Sequence, residues 1–142
     1  MKYKFSVIVL TIVFICCCSC KKTPQKGEYK GVFIGKYKME IYTSDYYFDI
    51  THSTKKELKL MEKQSKVNST LNKHENDSIS GGIGFGRIGG IYKPKGSSSP
   101  LFNVITIVGK YNKDSITGTF TTTFEDGDNE YLSVGTFVIS HY

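Results

Sequence analysis

Apolar and polar residues alternate with a period of two along most of the chain from Tyr29 onward. Thr, Tyr, Phe and Ile are frequent in these segments, which is typical of strands that bury one face. Short stretches rich in Asn, Asp, Gly, Ser and Pro separate the segments and indicate turns. We predict strands over the following segments: Tyr29–Tyr37, Lys38–Thr43, Tyr46–His52, Glu57–Glu62, Ser78–Tyr92, Leu101–Tyr111, Ile116–Phe124 and Tyr131–Ser140.

The segment 53–63 fits two kinds of secondary structure. Thr54 and Glu57 have the spacing of a helical capping box, and Leu58 with Met61 would share one helical face. The same residues also alternate as in a strand. A short helix and a strand both remain open for this segment.

Short strands joined by hairpin-length turns make an antiparallel meander, which either closes into a barrel or splits into two packed sheets. A weak internal repeat favours closure. Gly31, Gly118 and Gly135 each precede a β-branched residue and a Phe, and the first and last copies lie near the two ends of the domain. If these two strands pair, the sheet has no free edge. We predict an all-β fold, a single small antiparallel meander barrel of about eight strands, with a sandwich as second choice.

One long apolar run, Phe5–Ile15, precedes the strands. Lys2 and Lys4 come before it, and its eleven residues are fewer than the roughly 20 that cross a bilayer as a helix. A basic start, a short apolar centre and small residues afterwards predict an export signal. The four cysteines all follow this run: Cys16, Cys17, Cys18 and Cys20. The rest of the chain therefore has no disulfide framework.

The Ser19-Cys20 pair at the end of the apolar run resembles the lipobox of bacterial lipoproteins. The resemblance implies cleavage before Cys20 and attachment of lipid to that cysteine, because a small residue precedes it; Cys16, Cys17 and Cys18 are the alternatives. Residues 1–19 would then be a lipoprotein signal peptide, 20–27 a lipid-anchored tether and 28–142 the barrel domain. Several acyl chains hold a protein on a membrane essentially permanently.

The resemblance also implies a location. Lys21 stands where an Asp retains lipoproteins in the inner membrane, so the resemblance implies the outer membrane, with the domain on the periplasmic side or at the cell surface. The domain itself resembles the small lipocalin-like or calycin-like barrels of bacterial lipoproteins, through its G-x-Y-x-G-x-F opening at Gly27–Phe33 and its "GTFVI" ending at Gly135–Ile139.

A glycine-rich stretch, "GGIGFGRIGG" at Gly81–Gly90, contains the G-x-G-x-x-G of dinucleotide-binding loops. The segment that follows, "IYKPKGSSSP", cannot form the helix that this site requires, and Val104–Thr106 stand where its acidic residue should be. We therefore predict no nucleotide cofactor.

The periodicity of the same stretch is two. It places glycines on one face of a strand, and Ile83, Phe85 and Arg87 on the other. The glycine face either is covered by aromatic side chains such as Phe120 or Phe137, or borders a ligand cavity at the barrel mouth. In the second case Arg87 would contact a carboxylate or another anion; the alternative is that Arg87 is a surface residue on the solvated side of the strand. The candidate cavity residues are Gly82, Gly84, Gly86 and Arg87.

The candidates for other chemistry are few. His52, His74 and His141 are scattered, so no metal site is predicted, and no nucleophile and base have a recognisable spacing. Removing Lys2 and Lys4 with the signal leaves a formal charge of +4 instead of +6, which with export argues against nucleic acid as a partner. Two Asp-Ser-Ile triplets resemble O-glycosylation acceptors, at Ser78 and Ser115.

These observations predict a non-enzymatic, lipid-anchored envelope module. It binds either an unknown small ligand, such as an apolar molecule in the barrel, or an envelope protein. A periplasmic protein inhibitor or accessory subunit of an envelope complex is the alternative, and no cofactor is expected.

Overall fold

The computed structural model describes residues 22–37, 39–86, 104–126 and 129–142, which form eight strands and no helix. The strands are β1 (Gly27–Tyr37), β2 (Glu40–Ser53), β3 (Glu57–Glu62), β4 (Asn68–Lys73), β5 (Ser78–Gly84), β6 (Val104–Tyr111), β7 (Ser115–Asp126) and β8 (Asn129–His141). The predicted signal peptide, the residues Cys20 and Lys21, and the outer parts of two predicted strands, 87–92 and 101–103, lie outside the described residues.

Each strand pairs antiparallel with the next, and β8 pairs with β1, so the sheet is a closed barrel. The closing ladder sets Phe33 opposite Phe137 and Gly35 opposite Gly135. The predicted meander barrel is confirmed, and the sandwich is not formed. The Gly-x-Phe repeats near the ends of the domain are paired, as the closure required.

The segment that fitted both helix and strand is strand β3. Thr54 does act as a cap, but of a turn: its Oγ1 accepts hydrogen bonds from the backbone N–H groups of Lys56 and Glu57, at 3.3 and 3.1 Å. Leu58 and Leu60 point inward and are fully buried, whereas a helix would have paired Leu58 with Met61. Burial with period two decides the conformation.

Two other elements differ from the prediction. Residues 40–53 form one strand, β2, because Ser44 and Asp45 continue the ladder opposite Phe33 and Val32. Strand β4, "NSTLNK", was not predicted, because Leu71 alone of its inward residues is apolar. Its other buried positions are Ser69 and Lys73, so its sequence has no apolar alternation.

The barrel interior is packed with apolar side chains. The buried hydrophobic residues are Tyr29, Phe33, Tyr42, Phe48, Ile50, Leu58, Leu60, Leu71, Ile79, Ile83, Phe85, Ile105, Ile107, Ile116, Phe120, Phe137 and Ile139. Phe33 lies at the centre, with ring centroids of Phe48, Phe85, Phe120 and Phe137 between 5.7 and 6.3 Å away. Most of these rings meet edge to face, the arrangement that aromatic side chains prefer in protein cores.

Inward-facing glycines make room for these rings. Gly35 and Gly135 lie directly opposite each other on β1 and β8. A Cβ at Gly135 would lie 2.5 Å from Phe120 Cε1, and one at Gly35 would lie 2.9 Å from Phe120 Cζ. Both distances are too short for non-bonded carbon atoms. Gly35 and Gly135 therefore leave the space in which the ring of Phe120 packs inside a small barrel.

The connections β2–β3, β4–β5 and β6–β7 lie at the end of the barrel where β1 starts and β8 ends; we call it the tether end. The segment 23–26 packs there beside Ser53, and the Tyr29 hydroxyl donates a hydrogen bond to the Gln25 carbonyl at 3.0 Å. Backbone bonds join the turns to the neighbouring strands, from Lys73 N to Lys56 O and from His141 N to Asp114 O. The segment 23–26 therefore packs against an end of the barrel whose turns are hydrogen-bonded to the neighbouring strands.

Candidate functional site

In and just after β5, Gly82, Gly84 and Gly86 lie on the outer side of the barrel, whereas Gly81 stands opposite the inward-facing Leu71 and Ile107. Ile83 and Phe85 point inward and are fully buried, while Gly82 is exposed and Gly84 and Gly86 are half-buried. The alternation that the sequence indicated is therefore present, and the interior beside this strand is occupied by its own Ile and Phe. The aromatic rings of Phe120 and Phe137 pack inside the barrel, on the opposite side from Gly82 and Gly84.

The β3–β4 turn covers two of these glycines. A Cβ at Gly84 would lie 2.8 Å from Val67 Cγ1, and one at Gly86 would lie 2.9 Å from Ser65 Cβ. Strands β4 and β5 are paired through only a short ladder that ends at Gly81, and the Gly84 N–H donates instead to Ser69 Oγ at 2.9 Å. The glycines let the turn approach β5 closely where the ladder stops.

The remaining sequence candidates are placed as follows. Ser78 and Ser115 are half-buried residues at the first positions of β5 and β7, both at the tether end. The Ser115 hydroxyl donates to Asn112 Oδ1 at 3.2 Å. Cys20 and Arg87 lie outside the described residues.

A surface cleft of about 390 Å³ lies between β2 and the β3–β4 turn. Glu62 lines it, and this buried carboxylate accepts hydrogen bonds from Gln64 N at 2.9 Å and from both Ser65 N and Ser65 Oγ at 2.6 Å. Burial, with a smaller contribution from the Glu62 charge, raises the pKa of the neighbouring Tyr46 to about 12. Glu62 is thus engaged in holding its own turn together.

An uncharged outer surface extends over five strands of the described barrel. Val108, Thr119, Thr136, Ile34 and Thr43 stand side by side across the five strands β6, β7, β8, β1 and β2. All five are exposed, Val108 at 60% and Ile34 at 45%. At about 4.8 Å between strands, this row is about 19 Å wide.

Neighbouring rows extend the same surface. One neighbouring row consists of Thr106, Thr121 and Val134. Another consists of Thr117, Val138 and Val32. We call this set the β-branched face: Val32, Ile34, Thr43, Thr106, Val108, Thr117, Thr119, Thr121, Val134, Thr136 and Val138. Six of these side chains are Thr and five are Val or Ile, so each presents a methyl group and none carries a charge. Contiguous exposed apolar groups are typical of sites that bind another macromolecule.

The outer surface over the start of β1, β2 and β3 differs in character. Charged side chains from these strands and from Lys63, which follows β3, form the ion pairs Lys30–Asp45, Lys63–Glu28, Lys63–Asp49 and Lys59–Glu57. The hydrogen bond and charge of Lys63 hold the pKa of Glu28 below its ordinary value. The surface with the ion pairs is therefore polar and self-paired, whereas the β-branched face is uncharged. The signal was present in the sequence, because the first ten residues of β7, Ser115–Phe124, read "SITGTFTTTF" with no charge on either face.

Among the described residues, no three His, Cys, Asp or Glu side chains are grouped so as to hold a metal ion. Within the same part of the chain, no helix is long and apolar enough to cross a membrane. No protein-family model matches the chain, and no curated protein or solved structure is found to be similar to it.

Proposed function

We propose that this chain is a lipid-anchored protein of the bacterial envelope that binds another protein through the β-branched face. Its expected location is the outer membrane, facing the periplasm or the cell surface. The observation that carries the proposal is the contrast between a packed interior and an exposed, uncharged exterior. Phe33 and its ring neighbours occupy the centre of the barrel, while Val108 and Ile34 are exposed to solvent.

The packed interior favours a protein partner over a small ligand inside the barrel. A barrel that holds a ligand needs space between its inward side chains. Here the ring centroids of Phe85 and Phe120 lie only 5.7 and 5.9 Å from that of Phe33. Binding through the outside is compatible with an inhibitor of an envelope enzyme and with an accessory subunit of an envelope complex.

The β-branched face suits such binding for a physical reason. Val, Ile and Thr have few side-chain rotamers in a strand, so ordering them in an interface costs little conformational entropy. The ladder fixes their spacing, and burial of their methyl groups supplies about 25 cal/mol per Å². The surface is therefore rigid before it binds.

The anchor is tested by labelling with a fatty-acid analogue in the wild type and in Cys20→Ala. Label should be incorporated by the wild type and lost in the variant. Undiminished incorporation in Cys20→Ala would assign the lipid to Cys16, Cys17 or Cys18, and unlabelled wild type would refute the anchor.

The face is tested by placing a charge at its centre. Thr119→Arg should abolish recovery of the partner in native purification from the host envelope, because a guanidinium would be buried without a counter-charge. Thr70→Arg, on the outer side of β4, is the matched control and should retain the partner, since Thr70 is equally exposed but lies off the face. Equal recovery of the same partner by both variants would contradict the proposal.

A further inference from the structure

Lysines cluster where the tether joins the barrel. Lys22 and Lys26 lie on the tether, and Lys55 and Lys56 lie in the β2–β3 turn; all four are exposed. The buried Lys73 completes this basic cluster from the end of β4. Its Nζ donates hydrogen bonds to Ser53 Oγ and to Thr54 O, both at 2.8 Å.

The acceptors of Lys73 are neutral, a hydroxyl and a carbonyl, so neither compensates its positive charge. Its Nζ also lies 5.0 Å from the centre of the Tyr111 ring. Burial lowers the pKa of this ammonium group. An ammonium group in such a position favours an anion nearby.

A surface depression of about 380 Å³ lies within the cluster. It is lined by Thr23, Pro24, Gln25, Lys26 and Ser53, and Ser53 is the residue that accepts from Lys73. The depression thus offers a hydroxyl, an amide and an ammonium group, all of which can bind phosphate oxygens.

The β2–β3 turn holds two of the lysines in a defined position. Thr54 N donates to Glu57 O at 2.9 Å, and Thr54 Oγ1 accepts from the amides that follow. Lys56 O in turn accepts from Lys73 N at 2.8 Å. Two carboxylates near this turn already have lysine partners: Glu57 pairs with Lys59, and Glu28 pairs with Lys63. The others at the tether end, Glu75, Asp77 and Asp114, belong to the other two turns.

The cluster is also close to the proposed anchor. Two residues of chain span at most about 7 Å, so Lys22 lies within that distance of the lipid-bearing residue if Cys20 is modified. Six residues span at most about 20 Å, which sets the limit for Lys26. A lipid on Cys20 would therefore hold the cluster at the membrane surface.

We propose that the basic cluster binds the anionic phospholipid headgroups of the membrane that carries the anchor. The barrel then stands with its tether end on the bilayer, and the β-branched face is presented sideways. This inference rests on the proposed lipid anchor for its location, although the charge cluster itself does not depend on the lipid. Lysines near an anionic surface each contribute about 1 kcal/mol, or about fivefold in the ratio of docked to undocked protein.

The test uses the lipidated full chain, produced with its own leader in a bacterial host and reconstituted into vesicles. The vesicles contain phosphatidylcholine alone or an equimolar mixture with phosphatidylglycerol. The acylation rate of each lysine is measured by peptide mass spectrometry. Lys26, Lys55 and Lys56 should be protected on the anionic vesicles only, and about 1 M salt should remove the protection because it shortens the Debye length to about 3 Å.

Variants locate the interaction. Lys55→Gln combined with Lys56→Gln should lower the docked-to-undocked ratio about 25-fold, at about fivefold per lysine, and Lys26 should become reactive. The matched control, Lys36→Gln with Lys66→Gln, removes two exposed lysines at the opposite end of the barrel and should leave Lys26 protected. Circular dichroism checks that both pairs retain the fold.

The outcomes separate the inference from the anchor. Equal lysine reactivity on the two kinds of vesicle overturns the headgroup site, as does equal protection by inorganic phosphate without vesicles, which would show a site for a free anion. Failure of the chain to float with phosphatidylcholine vesicles refutes the anchor. In that case salt-sensitive flotation with anionic vesicles still supports the cluster, and its absence overturns it.

Discussion

Replacing Phe33 by alanine should open a void at the centre of the barrel. Phe33 is fully buried, and its ring lies against those of Phe48, Phe85, Phe120 and Phe137, which come from different parts of the chain. Truncation of a buried Phe costs roughly 3–5 kcal/mol, and the loss grows with the void that remains. A closed ladder limits inward collapse of the strands, so we expect about 4 kcal/mol for Phe33→Ala.

The loss is measured by urea unfolding, followed by near-ultraviolet circular dichroism of the Tyr and Phe side chains. Tyr47→Ala is the control, since Tyr47 is 44% exposed and should cost less than about 1 kcal/mol. Benzene should restore part of the stability of Phe33→Ala by filling the void, and should leave the wild type unchanged. A loss below about 1 kcal/mol for Phe33→Ala, or equal stabilisation of the wild type by benzene, would refute the packed interior.

Three smaller perturbations test single contacts. The pKa of Tyr46 in the folded protein is raised to about 12 from its ordinary 10. Its contribution to the free energy of unfolding should therefore be complete below pH 10 and be lost between pH 10 and 12, by at most about 3 kcal/mol. Urea unfolding across that range should show a smaller fall for Tyr46→Phe. Ser133 Oγ donates to the Lys36 carbonyl and accepts from the Tyr42 hydroxyl. Ser133→Ala should therefore lower the free energy of unfolding by about 1–2 kcal/mol, and Tyr42→Phe should lower it by less. Equal losses in urea unfolding would contradict this assignment of donor and acceptor. Lys66 has a φ of 60°, a backbone region that favours glycine. Lys66→Gly should therefore stabilise the fold by up to about 1 kcal/mol and raise the midpoint of thermal unfolding. A lower midpoint would contradict strain at this position.

The sequence was sufficient to predict the barrel because closure depends on local patterns. The Gly-x-Phe repeat marks β1 and β8, and Phe33 and Phe137 are paired in the closing ladder. Strand β4 was not predicted, because two of its three buried residues are polar. Its buried Ser69 is polar, so it does not contribute to an apolar alternation. A lysine in a strand sequence normally predicts an exposed position, but Lys73 is buried because its Nζ is hydrogen-bonded to Ser53 and Thr54.

For the glycine-rich segment, the alternation in the sequence did not determine which face points into the barrel. Alternation separated Gly82 and Gly84 from Ile83 and Phe85, but both interpretations drawn from it turned the glycines toward the interior, whereas the structure turns Ile83 and Phe85 inward. The ladder with β6 decides it, because Ile83 lies opposite the buried Ile105. The approach of Val67 to Gly84 depends on a turn that is distant in sequence from β5.

The closed barrel also constrains how a partner is recognised. Each strand pairs with two neighbours, so a partner cannot add a strand to an open edge. Where the β4–β5 ladder is short, Ser69 Oγ accepts from the Gly84 amide and Val67 covers the glycine. Recognition must therefore use side chains, and the β-branched face is the exposed uncharged set. If the basic cluster binds the membrane as we propose, the β-branched face would lie along the side of the barrel, which would favour a partner held at the same membrane.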